Sequence, residues 1–170
     1  MLHVCSLSTL HQTSERIGAT RLITLINEGT PVERPAGILP ENHLFLAFND
    51  IIEPMDGMTP PATIHVEKLL EFVEDWDQSS PMLIHCWAGI SRSTAGAYIT
   101  SCYLNPHRSE LEIARKLRHA APSATPNIRL VRIADKLLSR DGRMEEAVTS
   151  IGRGADAFEG APFSFWFDNN

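Results

Sequence analysis

One stretch constrains the architecture more tightly than any other: Pro81-Met82-Leu83-Ile84-His85-Cys86-Trp87-Ala88-Gly89-Ile90-Ser91-Arg92-Ser93-Thr94. Met82 to Ile84 is a short apolar run, long enough for a buried parallel strand and too short for a helix. From Ser93 onward, Thr-Ala-Gly-Ala-Tyr-Ile-Thr-Ser-Cys-Tyr-Leu reads as a tightly packed, mostly apolar helix that stops at Asn105-Pro106. Strand, loop and helix in that order set the loop Cys86 to Arg92 on a helix N-terminus. Free backbone N–H groups and the positive end of the helix dipole collect there. Gly89 permits a backbone conformation in which successive N–H groups converge on one anion.

Cys86 stands at the mouth of that anion nest. A free thiol titrates near 8.5, and such settings bring thiols down to roughly 3.5–7.5, so a thiolate is expected at neutral pH. Arg92 adds a planar fork able to hold two oxygens of one phosphate, which a lysine cannot do. A nucleophile, an anion cradle and a bidentate clamp in one short loop point to nucleophilic attack on phosphorus.

His85-Cys86-x-x-Gly89-x-x-Arg92-Ser93 resembles the signature loop of the cysteine-dependent protein tyrosine phosphatases. The compact length resembles their small dual-specificity-like branch, including small bacterial forms. The resemblance is specific over residues 81–105 and extends from about 43 to 140. It implies a phosphate bound by Trp87, Ala88, Gly89, Ile90, Ser91 and Arg92, and attack by Cys86 to form a phosphocysteine. It also implies that His85 orients the loop by hydrogen bonding. The Ser93 hydroxyl would hydrogen-bond the thiolate and help it leave. No metal and no cofactor is expected, because Arg92 and the nest supply the positive charge.

A leaving alkoxide or phenoxide needs a proton from a general acid. Asp50 is the expected donor. It follows a predicted strand, His43 to Phe48, and open α/β sheets place their sites just past strand ends. It also precedes the cysteine by a few tens of residues, as the acid does in the proteins this chain resembles. The sequence there is Phe48-Asn49-Asp50-Ile51, where large receptor-type members carry Trp-Pro-Asp. Glu53 and Asp56 in the same loop are the alternatives. Asn127 is read first as a helix cap, with a second reading as a group that reaches the site to position water.

The 170 residues are enough for one domain with a proper core. The net charge of −6 argues against a nucleic-acid or anionic-membrane binder, for which a basic balance is expected. Cys5, Cys86 and Cys102 are odd in number and widely spaced, so neither a disulfide framework nor a metal pair is expected. The N-terminus lacks the pattern of a signal peptide, and no apolar run reaches membrane-spanning length. The expected compartment is the cytoplasm, where a thiol stays reduced.

Along the chain, strands are expected at Leu2 to Leu7, Thr20 to Ile26 and His43 to Phe48 besides the one before Cys86. Helices are expected after Ser8-Thr9, after Thr59 to about Asp77, from the capping box Ser109-Glu110-Leu111-Glu112, after Asn127, and around Met144 to Ile151. Strands alternate with helices early and helices accumulate late. That predicts an α/β fold with a central, mostly parallel sheet of four to five strands flanked by helices, the signature loop joining a central strand to a helix. One domain is expected over 1–152. Residues 153–170 form an aromatic tail, expected to pack on it, pair as a short strand or bind a partner. Arg115, Lys116, Arg118 and His119 read as a solvated basic face.

The expected activity is hydrolysis of a phosphomonoester, foremost phosphotyrosine with activity on phosphoserine and phosphothreonine. The expected partner is a phosphorylated protein or a small phosphomonoester, with no nucleic acid and no membrane. The competing readings are a dual-specificity enzyme, a non-protein phosphomonoesterase, and a phosphate-binding module without turnover. Members of the family this chain resembles that act on phosphoinositides tend to carry lysines in the loop interior, and Trp87 to Ser91 has none, so the resemblance implies that an inositol lipid is disfavoured. Cys86 and Arg92 together disfavour the inert module.

Overall fold

The computed structural model describes residues 1–166. Four apolar runs form parallel strands: β1 (Leu2–Ser6), β2 (Arg21–Ile26), β3 (His43–Ala47) and β4 (Met82–Cys86). A last strand, β5 (Phe163–Phe165), pairs antiparallel with β1, and the sheet order is β3-β2-β4-β1-β5. The helices are α1 (Leu10–Ile17), α2 (Thr63–Glu74), α3 (Arg92–Leu104), α4 (Glu110–Ala120), α5 (Ile128–Leu137) and α6 (Arg143–Ser150). This is the mostly parallel α/β sheet expected from the strand–helix alternation.

Side-chain alternation along the strands sorts the core into two parts. Val4, Ile23, Leu25, Met82, Ile84 and Cys86 face the larger part, which is closed by residues of α2 through α6. Cys5, Leu22 and Leu83 face the smaller part, with Leu10 of α1 and Ile38. Cys5 and Cys86 therefore project to opposite sides of the sheet. β4 lies between β2 and β1, and all five of its residues are buried. The parallel register sets Ser6 beside Cys86 and Ile26 beside Ala47. The C-terminal ends of four strands thus share one edge, and the loops leaving them converge there.

α3 is buried from Arg92 to Cys102, and only Tyr103 and Leu104 at its end are half-buried. Its apolar run has no polar face because no face meets water. Gly96 lets it sit close on the sheet, since a Cβ there would lie 3.0 Å from a Leu25 methyl.

Two local expectations are corrected. α2 begins at Thr63 with Ala62 in the N-cap position, not after Thr59. Pro60 and Pro61 precede the helix instead of forming its first turn. The Ala62 amide donates to the His65 Nδ1 at 3.0 Å, so an imidazole reaches back to the N-cap amide, and the N-cap residue has no hydroxyl. Thr59 is engaged elsewhere, its amide donating to the Asn49 side chain at 2.9 Å. The helix also stops at Glu74, short of Asp77.

The second correction concerns Arg118, which is not part of a solvated face. It donates to the carbonyls of Ile151 (2.8 Å), Gly152 (2.9 Å) and Ala124 (2.8 Å), tying the segment after α6 to the loop before α5. Residues 153–162 then run back across the molecule to β5. Of the aromatic run Ala161 to Phe167, Phe167 lies outside the described residues. Among the described residues, no helix is long and apolar enough to cross a membrane.

Candidate active site

Cys86 is the last residue of β4 and Arg92 the first of α3, so a strand end and a helix start hold the two ends of the loop. Cys86 is buried, with its Sγ 3.1 Å from the Ser93 Oγ. Arg92 is buried as well. Its Nη1 donates to the Asn27 Oδ1 at 2.5 Å and to the Phe48 carbonyl at 2.8 Å. The residues just past β2 and β3 therefore fix the guanidinium from one edge. Its Nε is buried and has no hydrogen-bond partner among the described residues.

The carbonyls of the loop are taken up by donors around it. Trp87 O accepts from the Leu7 amide (3.1 Å), Ala88 O from Gly160 (2.8 Å), Ile90 O from Thr125 (2.9 Å), and Ser91 O from Asn127 (3.3 Å). With its acceptors bound on the outside, the loop keeps its amides for the inside. Gly89 has φ +72, and a Cβ there would lie 3.0 Å from backbone atoms of Cys5 and Ser6. Only glycine meets both conditions, the left-handed turn and the close approach to β1.

His85 is fully buried. Its Nε2 lies 2.8 Å from the Thr24 hydroxyl, which is also 2.8 Å from the His43 Nε2. Its Nδ1 lies 3.4 Å from the Cys86 carbonyl. Burial pushes its pKa down to about 4, against the opposing pull of the Cys86 carbonyl. The ring beneath the loop is thus neutral at physiological pH.

Asp50 stands at the rim. Its Oδ1 accepts from the Ser91 hydroxyl at 2.8 Å and from the Asn127 side-chain amide at 2.7 Å. Asn127 also accepts the Leu130 amide at 3.1 Å, so one side chain caps α5 and reaches Asp50. Both sequence readings of Asn127, helix cap and reach toward the site, describe contacts it makes.

Cys86, Arg92 and Asp50 line one cleft of about 490 Å³, together with Trp87, Ala88, Ile90 and Ser91. Trp87 is 61% exposed, so it stands on the cleft wall and not under the loop. Gly89 is behind the wall, and Glu53 and Asp56 are not among the lining residues. Asn27, Asn49, Met58 and Phe158 also line the cleft, and sequence reasoning missed them. Asn27 was within reach of the rule that selected Asp50, since it directly follows β2. Phe158 lies far along the chain, and no local pattern announces it.

A family model described as protein-tyrosine phosphatase matches residues 54–127, which include the loop and Asn127. No curated protein matches the chain. Among solved structures, human DUSP28 is similar at 19% identity and TM-score 0.62, over 89% of this chain and 95% of that one. DUSP15 is similar at 16% identity and TM-score 0.65, over 88% and 90%. PTPMT1 in complex with PI(5)P is similar at 14% identity and TM-score 0.58, over 89% and 94%. These likenesses show a shared fold. The chain is thus similar to the protein-tyrosine phosphatases over the matched segment, which contains the loop His85 to Ser93, and shares its fold with dual-specificity phosphatases.

Proposed function

We propose that the chain is a protein-tyrosine phosphatase, with activity on phosphoserine and phosphothreonine, working through a phosphocysteine at Cys86. The observation that carries this reading is the convergence of Cys86, Arg92 and Asp50 on one cleft, with Ser93 Oγ 3.1 Å from the sulfur. The phosphate sits in the loop, its equatorial oxygens held by loop amides and by the Nε edge of Arg92, whose Nη1 is already tied to Asn27 and Phe48. The thiolate of Cys86 attacks in line, the S–P bond forms and the P–O bond to the leaving group breaks.

Asp50 gives its proton to the departing oxygen. Ser91 and Asn127 hold its Oδ1, which leaves Oδ2 as the proton carrier. In the second step a water attacks phosphorus and Asp50 takes its proton. The S–P bond breaks with its electrons returning to sulfur, where the Ser93 hydroxyl steadies them. Inorganic phosphate leaves. Charge stabilisation in this scheme comes from Arg92 and backbone amides, and the reaction calls for no added metal.

A protein substrate is favoured over an inositol lipid because the loop interior, Trp87 to Ser91, has no lysine. PTPMT1, named above with PI(5)P, keeps the lipid as the reading to exclude. The test is steady-state hydrolysis, with EDTA present, of p-nitrophenyl phosphate, a phosphopeptide panel and inositol phosphates. Turnover is expected on the phosphotyrosine peptides and lost in Cys86→Ser. Activity that survives Cys86→Ser overturns the mechanism, and preference for inositol phosphates overturns the substrate.

A further inference from the structure

The segment after α6 forms a strap against the signature loop. It is tied at its start by the Gly154 amide to Thr125 Oγ1 (3.1 Å) and the Ala155 amide to the Pro122 carbonyl (2.9 Å). In the middle the Gly160 amide donates to the Ala88 carbonyl at 2.8 Å. Contact there is close enough that a Cβ on Gly160 would lie 2.8 Å from the Gly89 carbonyl oxygen. At its end β5 pairs with β1. Just before Gly160 the strap presents Phe158, 98% exposed, and Glu159, whose carboxylate accepts from the Ser8 hydroxyl.

Beside the phosphate cleft this builds a second hollow of about 360 Å³, walled by Leu7, Ser8, Trp87, Ala88, Phe158 and Glu159. It is continuous with the cleft, because Trp87, Ala88 and Phe158 line both. Its walls are mostly apolar and aromatic, and Glu159 is the one ionic group in them. Resting on the phosphatase reading, we propose that this hollow is a specificity subsite for a basic side chain, arginine or lysine, flanking the phosphorylated residue of a peptide.

The chemistry of the walls selects that occupant. A long basic side chain has an apolar stem that packs on aromatic faces and a cation that is attracted by them. Its head then meets the Glu159 carboxylate. Hydrogen bonds from Ser6 and Ser8 hold that carboxylate below its usual range, so it keeps its charge. The two compartments therefore have opposite electrostatic sense: amides and Arg92 in one, a carboxylate in the other. A phosphate followed one or two residues on by a cation matches that pattern, and neighbouring residues of an extended peptide are ~3.3–3.6 Å apart. A ligand with several phosphates would set a second anion against Glu159.

The test is kcat/KM on phosphotyrosine peptides in an alanine background, placing arginine, norleucine or glutamate at each position from two before to two after the phosphotyrosine. Arginine at one position is expected to exceed norleucine about fivefold and glutamate by more. Glu159→Gln, which keeps an oxygen for Ser8, should erase the arginine-over-norleucine preference and leave p-nitrophenyl phosphate turnover unchanged. Phe158→Ala should lower both peptides. Equal rates at every position, or norleucine favoured over arginine with Glu159→Gln silent, would overturn the subsite. The same peptides are also titrated calorimetrically against Cys86→Ser, alone and with Glu159→Gln. A chain that hydrolyses none of them overturns the phosphatase reading, whereas absence of arginine preference in that binding overturns the subsite.

Discussion

The side-chain amide of Asn127 donates to Asp50 Oδ1 at 2.7 Å while its carbonyl oxygen accepts the Leu130 amide at 3.1 Å. The start of α5 and the position of Asp50, the proposed proton donor, are thereby set by a single residue. Asn127→Asp keeps the acceptor for Leu130 and replaces the donor to Asp50 with a like charge. It is expected to lower kcat at least tenfold while the thermal midpoint changes by no more than a few degrees. Asn127→Ala removes the cap as well and should cost about 1 kcal/mol of stability. Rates on a poor alkyl leaving group and on nitrophenolate separate the effects, the former falling further.

The three thiols differ in environment. Burial pushes Cys5 and Cys102 up to about 12. At pH 8 the thiolate fraction of such a group is roughly one part in ten thousand. Iodoacetamide at neutral pH should therefore add one label per chain, mapped to Cys86 by peptide mass and blocked by inorganic phosphate. Equal labelling of all three cysteines would contradict the site as described.

His85 ties stability to acid. Its folded value of about 4 lies below the 6.5 of an unfolded histidine, chiefly through burial. Between these values the unfolded chain binds the extra proton, so stability is full above about pH 6.5 and falls as pH drops toward 4. The loss from this group alone approaches ~3 kcal/mol. His3, His43 and His65, each lowered first by burial, act in the same direction. Urea midpoints measured from pH 7.5 to 4 should slope downward, and His85→Gln should flatten the slope.

Two glycines with nearly the same backbone angle make a controlled pair. Gly89 has φ +72 and backbone of β1 at 3.0 Å from its would-be Cβ; Gly29 has φ +76 and nothing within 4 Å. Gly29→Ala is expected to cost about 1 kcal/mol through backbone strain and leave activity intact. Gly89→Ala adds a collision in the anion nest, and turnover should fall at least a hundredfold. Comparable activity in the two variants would show that the loop tolerates displacement.

What was legible in the sequence was what is contiguous in it. Strand β4, the loop and α3 follow one another without interruption, so the run of residues carries the geometry. The place of Asp50 on the cleft was legible through a rule about strand ends. The strap was not, because Gly160 meets Gly89 only through the closing of β5 on β1, a pairing of the first and last described strands. Arg118 was misread for a related reason. Its neighbours on the helix are charged, but its partners are carbonyls of segments far along the chain. Thr59 had the right residue type for a cap, but the N-cap position falls at Ala62, whose amide is held by His65.

The pairing Leu2↔Phe165 also sets an order of events. β1 leaves the ribosome long before β5, so it waits for one of its neighbours until Phe165 has been made. Until residue 160 emerges, Phe158 and Glu159 do not join Trp87 in lining the hollow, and the loop Cys86 to Arg92 lacks the amide that holds Ala88. A nascent chain or a proteolytic fragment ending before the strap would thus carry Cys86, Arg92 and Asp50 and still lack the wall that Phe158 and Glu159 give the neighbouring hollow.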